Sequence, residues 1–135
     1  MAPTPTQLLQ FFLPGYLLTV AIEAPILLLL LSRRHAWRER LSAGVLLTEF
    51  TYPIVVLVLP PLLWNRFGHT VYISVAETFA PLAECAVFYA FWIRPKAEQP
   101  TSASLLQDMA AITAANLASW LGGAKIIALL FRSAV

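Results

Sequence analysis

Charged side chains are scarce in this sequence. Asp, Glu, Lys and Arg make up 12% of its 135 residues, whereas a soluble domain carries about 25%. Hydrophobic residues make up 59%. A soluble helical protein needs a polar face toward water, which a chain this apolar cannot supply, and a bilayer removes that requirement. The scarcity of charge therefore favours an integral membrane protein over a soluble helical core.

Groups that would hold a cofactor are scarce as well. The one cysteine, Cys85, lies in an apolar run, so no intrachain disulfide can form. His35 and His69 fall in connections on opposite sides of the predicted membrane, so they cannot share a haem or a zinc ion. The sequence offers no Cys/His cluster, no glycine-rich phosphate loop and no Ser/His/Asp set that can be assembled. We expect no cofactor other than a bound cation of unknown identity, and no enzymatic activity, with an intramembrane enzyme as the lesser alternative.

Basic residues do not form a patch interleaved with aromatic side chains, and the net charge is only +2. Nucleic acid is therefore not an expected partner. The first ten residues contain neither Lys nor Arg, and the apolar run after them is too long for the core of a signal peptide. We interpret that run as a retained membrane span, with the lipid bilayer as the surrounding partner.

Four apolar stretches are long enough to cross a bilayer, which takes about 20 residues of helix. Short polar connections separate them, so neighbouring spans must run antiparallel. The sequence predicts an all-α membrane protein, a four-span antiparallel transmembrane helix bundle that forms a single membrane domain over residues 1–135. The predicted spans cover residues 8–31, 41–64, 71–93 and 104–131.

The positive residues of the connections predict the orientation. The first connection carries Arg33, Arg34, Arg38 and Arg40, and the third carries Arg94 and Lys96. The opposite side has only Arg66 and Arg132. Because positively charged loops stay in the cytoplasm, we expect a plasma (bacterial inner) membrane protein with both termini outside and the Arg-rich first loop cytoplasmic.

A layer of polar residues crosses the predicted spans. At 1.5 Å of rise per residue, Glu23, Glu49, Glu84 and Asn116 lie at nearly the same depth, and Glu77 lies two turns from Glu84 on the same face. A charge at the bilayer centre costs roughly 2.5–3.5 kcal/mol, and no basic residue lies in this layer. The carboxyls must therefore be protonated, paired, hydrated or bound to a cation. We predict a ligand- or cation-binding site formed by these five residues, and the identity of any metal stays unknown.

Two of these glutamates belong to a Glu-x-x-x-Pro pattern, Glu49 with Pro53 and Glu77 with Pro81. A proline in a helix frees the carbonyl four residues earlier, which here belongs to the glutamate itself. The two patterns lie on consecutive antiparallel spans, as in the inverted repeats of transporters. The alternatives are an ordinary kink at each proline and interhelical hydrogen bonding by protonated glutamates.

Small residues recur every four positions on the fourth predicted span. A stripe of this kind lets another helix approach closely, so we interpret it as a packing surface for another span or for a second subunit. Because four spans enclose little volume, we expect a homo-oligomer or a larger membrane complex. The helix-packing residues are Ala111, Ala115, Ser119 and Gly123.

The second half of the chain carries Glu77 and Glu84, followed by the run from Asn116 to Gly122, Asn-Leu-Ala-Ser-Trp-Leu-Gly. This half resembles uncharacterised short bacterial multi-pass membrane proteins with paired intramembrane glutamates and a later Asn-x-x-Ser. The resemblance implies no activity. The polar layer itself favours a small transporter or channel-like protein that binds or moves a proton, a metal ion or a cationic substrate. The alternative is a non-catalytic accessory or assembly subunit of a larger membrane complex.

Overall fold

Four long helices account for most of the chain. The computed structural model describes residues 3–132, with the backbone alone for residues 124 and 127–132. The predicted all-α class is confirmed over these residues, which form helices and no strand. We number the helices α1 (Pro5–Leu30), α2 (Trp37–Phe67), α3 (His69–Ile93) and α4 (Ser102–Arg132). Each one contains nearly all of one predicted apolar stretch.

Side chains that bond to free backbone N–H groups explain where α1 and α2 begin. At the start of α1 the Thr4 hydroxyl accepts from the Gln7 N–H at 3.3 Å, and the Gln7 side chain accepts from the Thr4 N–H at 2.9 Å. At the start of α2 the Glu39 carboxylate accepts from the Ala36 N–H at 2.8 Å. These contacts satisfy groups that the first helical turn leaves without a partner.

Prolines change the pitch of α2 without ending it. The helix continues past Pro53 into two π-helical segments, Ile54–Val58 and Pro60–Trp64. A proline has no N–H to donate and its ring clashes with the preceding turn, which a wider turn can accommodate. α2 therefore remains one continuous helix although it contains three prolines.

The helices surround a common core. α1 packs against α2 and α4, and α3 packs against the same two helices. The core includes the fully buried side chains of Leu27, Leu47, Phe88 and Ile112, one from each helix. Every helix thus contributes one face to a shared interior.

The four small residues of α4 have different surroundings. Ala111 and Ala115 are buried in the core. Ser119 is partly buried and hydrogen-bonded, whereas a Cβ added to Gly123 would meet no neighbouring side chain or helix within 4 Å among the described residues. Two residues of the predicted packing stripe therefore lie in the interior of this chain.

Three helices of the described chain, α1, α2 and α3, are long and apolar enough to cross a membrane. This agrees with the prediction of a transmembrane protein. α4 has 31 residues but is not one of those three. A crossing by α4, and with it the complete four-span arrangement, therefore stays a prediction.

Candidate functional site

Glu23 is a buried carboxyl that joins three helices. Its side chain lies on α1 and is only 2% exposed. The Thr48 hydroxyl of α2 donates to Glu23 Oε2 at 2.7 Å, and the Ser119 hydroxyl of α4 donates to Oε1 at 2.5 Å. Each carboxyl oxygen thus has a polar partner from a different helix.

Glu84 repeats this arrangement from the other side of the bundle. It lies on α3 and is also 2% exposed. The Thr51 hydroxyl donates to Glu84 Oε1 at 2.6 Å, and the Asn116 amide donates to Oε2 at 2.7 Å. α2 and α4 therefore supply the donors for both buried glutamates.

The three hydroxyls each have a second acceptor nearby. Thr48 Oγ1 lies 3.2 Å from the carbonyl oxygen of Gly44, and Thr51 Oγ1 lies 3.1 Å from that of Leu47. Ser119 Oγ lies 2.9 Å from the carbonyl oxygen of Asn116. A hydroxyl has one hydrogen and two lone pairs. It can donate to a carboxylate, or turn its hydrogen to the backbone carbonyl and accept from a protonated carboxyl.

Asn116 differs from the hydroxyls because its amide nitrogen can only donate. One hydrogen goes to Glu84 Oε2 and the other to the Ile112 carbonyl oxygen at 3.1 Å. Oε2 of Glu84 is therefore an acceptor in both protonation states. A proton on Glu84 belongs on Oε1, facing Thr51.

A cavity of about 120 Å³ adjoins the two carboxyls. This volume has room for several water molecules. We call it the glutamate cavity because three glutamates line it: Glu23, Glu77 and Glu84. The rest of the lining comes from Thr19, Thr48, Thr51, Tyr52, Val55, Ala76, Ala80, Asn116, Ser119 and Trp120.

No cationic side chain neutralises these carboxyls within the described part of the chain. The ion pairs in this part of the chain are His35–Glu39, Lys96–Glu39 and His35–Asp108. Over the same residues, no group of three or more His, Cys, Asp or Glu side chains is arranged to hold a metal ion. The buried glutamates depend on neutral hydrogen-bond donors alone.

The structure brings together most of the predicted site residues. Glu23, Glu84 and Asn116 lie at the glutamate cavity, and the half-buried Glu77 lines it as well. Glu49 is exposed and is not part of the lining. The two Glu-x-x-x-Pro patterns therefore place their glutamates in unlike surroundings, one at the cavity and one on the outer surface.

Sequence reasoning did not identify the threonines of the site. Thr48 and Thr51 occupy the inner face of α2, and Glu49 is turned about 100° away from Thr48. The spacing of Gly44, Thr48 and Thr51, four and then three residues, would place all three on one helix face and could have indicated it. Ser119 was assigned to helix packing only, although its hydroxyl bonds to Glu23.

A second polar cluster lies at one end of the bundle, where Ser32 and His35 meet Asp108. The Ser32 N–H donates to Asp108 Oδ1 at 2.7 Å, and the Ser32 hydroxyl donates to Oδ2 at 3.1 Å. His35 Nε2 lies 3.0 Å from the same Oδ2, and because an ionised carboxylate can only accept, we assign the hydrogen of this contact to Nε2. All three side chains are buried. We call this the Asp108 cluster.

The Asp108 cluster contains a serine, a histidine and an aspartate that could not be assembled from the sequence. The Ser32 hydroxyl is bonded to the carboxylate, not to the imidazole. In a Ser-His-Asp triad the imidazole accepts the hydrogen of the serine hydroxyl, so this geometry is not that of a triad. The cluster attaches the connection between α1 and α2 to the beginning of α4.

Two connections meet at this end of the bundle. Lys96 Nζ lies 2.9 Å from Glu39 Oε2 and donates to the Arg34 carbonyl oxygen at 3.2 Å. The Arg34 guanidinium donates in turn to the Glu98 carbonyl oxygen. Residues 31–40 and 94–101 are therefore neighbours, and we call the surface they form the loop end.

No protein-family model, curated protein or solved structure matches this chain. The resemblance to bacterial multi-pass proteins with paired glutamates therefore stays a prediction.

Proposed function

We propose that this chain is a four-span membrane protein that binds protons at Glu23 and Glu84 and moves them across the bilayer. Glu77 serves as a third carboxyl in the glutamate cavity, and Asn116 orients Glu84. A metal ion or a cationic substrate is the alternative ligand. The proposal places the protein in a bacterial plasma membrane with the loop end in the cytoplasm.

The observation that carries the proposal is the pairing of two buried carboxyls with hydrogen-bond partners that fit both protonation states. The Thr51 hydroxyl can donate to an ionised Glu84 or accept from a protonated one, because the Leu47 carbonyl takes the released hydrogen. The same exchange is open to Thr48 and Ser119 at Glu23. A proton can therefore bind or leave without creating an unpaired buried group, whose cost would be about 1–3 kcal/mol.

The cavity supports a route for the proton. Waters in a space of about 120 Å³ can hydrogen-bond to all three glutamates and carry protons to them. Toward the loop end, the apolar core that includes Leu27, Leu47 and Phe88 separates the carboxyls from the Asp108 cluster. Transport then requires a second arrangement in which this core opens.

Proton flux into liposomes tests the proposal. The purified chain is reconstituted with a pH-sensitive dye inside, and a pH gradient is applied with and without added metal or organic cations. We expect flux from the wild type and a loss of at least tenfold in Glu84→Gln and Glu23→Gln, because glutamine keeps the shape but cannot take up the proton.

Glu49→Gln is the matched control, since it removes an exposed carboxyl only two residues before Thr51. We expect its flux to equal that of the wild type. Equal flux in wild type and Glu84→Gln would contradict the proposal. Flux that depends on a particular added cation would instead identify that cation as the ligand.

A structural role is the second candidate, and one observation favours it. Glu23 and Glu84 each connect three helices through hydrogen bonds, which is also what an accessory or assembly subunit would use to hold its shape. Purification from native membranes in mild detergent distinguishes the accessory role from proton transport. A stable complex with other proteins, together with full function of the glutamine variants, supports the accessory role. A self-contained oligomer that moves protons supports transport.

A further inference from the structure

We propose that the loop end binds the headgroups of anionic phospholipids through the exposed guanidinium groups of Arg33, Arg38 and Arg94. The inference requires that α1, α2 and α3 cross a membrane, for which they are long and apolar enough. It does not depend on proton binding by the glutamates.

Internal contacts divide the cations of the loop end into two groups. Lys96 is bonded to Glu39 and to the Arg34 carbonyl oxygen. The Arg34 guanidinium is itself bonded to the Glu98 carbonyl oxygen. The Arg40 guanidinium donates to the carbonyl oxygens of His35 at 2.8 Å and Leu28 at 3.1 Å. These contacts hold the connections in place. The remaining three cations, Arg33, Arg38 and Arg94, are exposed.

Acidic groups do not cancel this exposed charge. Glu39 is bonded to Lys96, and Asp108 is buried against Ser32 and His35. Glu98 is the exposed acid in the connection between α3 and α4. The outer surface of the loop end is therefore positive, and its charge is complementary to a phosphodiester.

Apolar side chains beside these arginines place the patch at a membrane boundary. Trp37 is 59% exposed and Leu41 is 40% exposed, and their spacing of four residues puts them on one face of the first turns of α2. The Arg38 guanidinium carbon lies 5.3 Å from the centre of the Trp37 ring. Tryptophan is typical of the headgroup level, where one side of the ring meets acyl chains and the other meets polar groups.

Arginine suits a phosphate partner in particular. Its planar guanidinium can donate two parallel hydrogen bonds to one phosphate. Each basic residue close to an anionic membrane surface adds about fivefold to the affinity. Three exposed arginines on one bundle end can therefore select phosphatidylglycerol over a zwitterionic lipid of the same chain length.

A lipid titration of the detergent-purified full chain tests this inference. Phosphatidylglycerol and phosphatidylcholine are added separately, and binding is followed by native mass spectrometry and by the shift in melting temperature. We expect preferential binding of phosphatidylglycerol. The triple variant Arg33→Gln, Arg38→Gln, Arg94→Gln should bind it at least roughly tenfold more weakly.

The control is Arg66→Gln, which removes an exposed cation from the opposite end of the bundle and should leave the affinity unchanged. Thermal unfolding without lipid checks that the triple variant folds. Arg38→Gln alone is a milder variant, for which we expect the affinity for phosphatidylglycerol to fall about fivefold. Equal binding of the two lipids would overturn the inference. An equal loss of affinity for phosphatidylglycerol in the triple variant and in Arg66→Gln would overturn it as well. Displacement of phosphatidylglycerol by an equal concentration of inorganic phosphate would also overturn the inference, because the surface would then bind phosphate rather than lipid.

Discussion

At the scale of single residues, Asp108 shows how hydrogen-bond donors allow an acidic side chain to be buried. Asp108 has no exposed surface, yet both of its oxygens are occupied, Oδ1 by the Ser32 N–H and Oδ2 by Ser32 and His35. Three hydrogen bonds to a carboxylate compensate for much of the cost of taking it out of water. The Asp108 cluster thereby fixes the connection between α1 and α2.

Asp108→Ala should destabilise the protein by about 2–5 kcal/mol. The substitution leaves the Ser32 N–H and the His35 Nε2–H buried without an acceptor, and such groups are costly. Thermal unfolding in mild detergent measures the change. Glu98→Ala is the control, because only the backbone carbonyl of Glu98 takes part in a contact with Arg34, and we expect a change within about 0.5 kcal/mol. Equal melting temperatures for wild type and Asp108→Ala would contradict this account of the cluster.

Residue types and depths could be read from the sequence, but the direction of a side chain around its helix could not. Glu49 and Glu23 have the same predicted depth, yet Glu49 is exposed and Thr48 beside it faces the interior. A nearly all-apolar helix has no polar face that would indicate its rotation, so only packing against neighbours determines it. For the same reason Ser32, His35 and Asp108, which come from two distant segments, could not be brought together beforehand.

At the scale of helices, one close approach controls how α1 and α2 pack. A Cβ built on Gly44 would lie 2.6 Å from the Ala24 Cα and 2.9 Å from its Cβ. These distances are too short for any side chain, so glycine is required for the observed contact. Because Ala24 follows Glu23 and Gly44 lies one turn before Thr48, the same contact holds the Glu23–Thr48 hydrogen bond in place.

Gly44→Ala should lower the stability by about 1–3 kcal/mol, since the added methyl group pushes the two helix backbones apart. Gly123→Ala is the matched control on α4. Among the described residues, no neighbouring side chain or other helix lies within 4 Å of a Cβ there, and alanine favours a helix by about 1 kcal/mol over glycine. Unfolding in detergent should therefore show a loss for the first variant and no loss for the second. A Gly44→Ala protein as stable as Gly123→Ala would show that α1 and α2 do not approach this closely.

The sequence predicted the helices themselves well. Their boundaries follow from the polar connections and from capping residues such as Thr4 and Glu39. The π-helical segments after Pro53 were not foreseen, because a proline in a helix can produce a kink or a wider turn, and the neighbouring helices decide which of the two forms.

The molecule as a whole combines an apolar exterior with a polar interior near its middle. Large apolar side chains such as Leu29, Phe91 and Leu106 are exposed, whereas Glu23 and Glu84 are buried. A protein in water would have the opposite distribution, and a protein in lipid requires this one. The proposed transport of protons depends on this inversion, since the buried carboxyls adjoin the glutamate cavity, where water has room to reach them.

The most direct measurement of the central claim is infrared difference spectroscopy of the lipid-reconstituted chain between acidic and alkaline buffer. The C=O stretching band of protonated Glu84 is identified by its loss in Glu84→Gln and its persistence in Glu49→Gln. We predict that this band changes with pH. In Thr51→Val it should move to higher frequency because the proton on Oε1 loses its acceptor, and in Thr51→Ser it should stay in place. A Glu84 band that does not respond to pH, or that Thr51→Val leaves unshifted, would contradict the account.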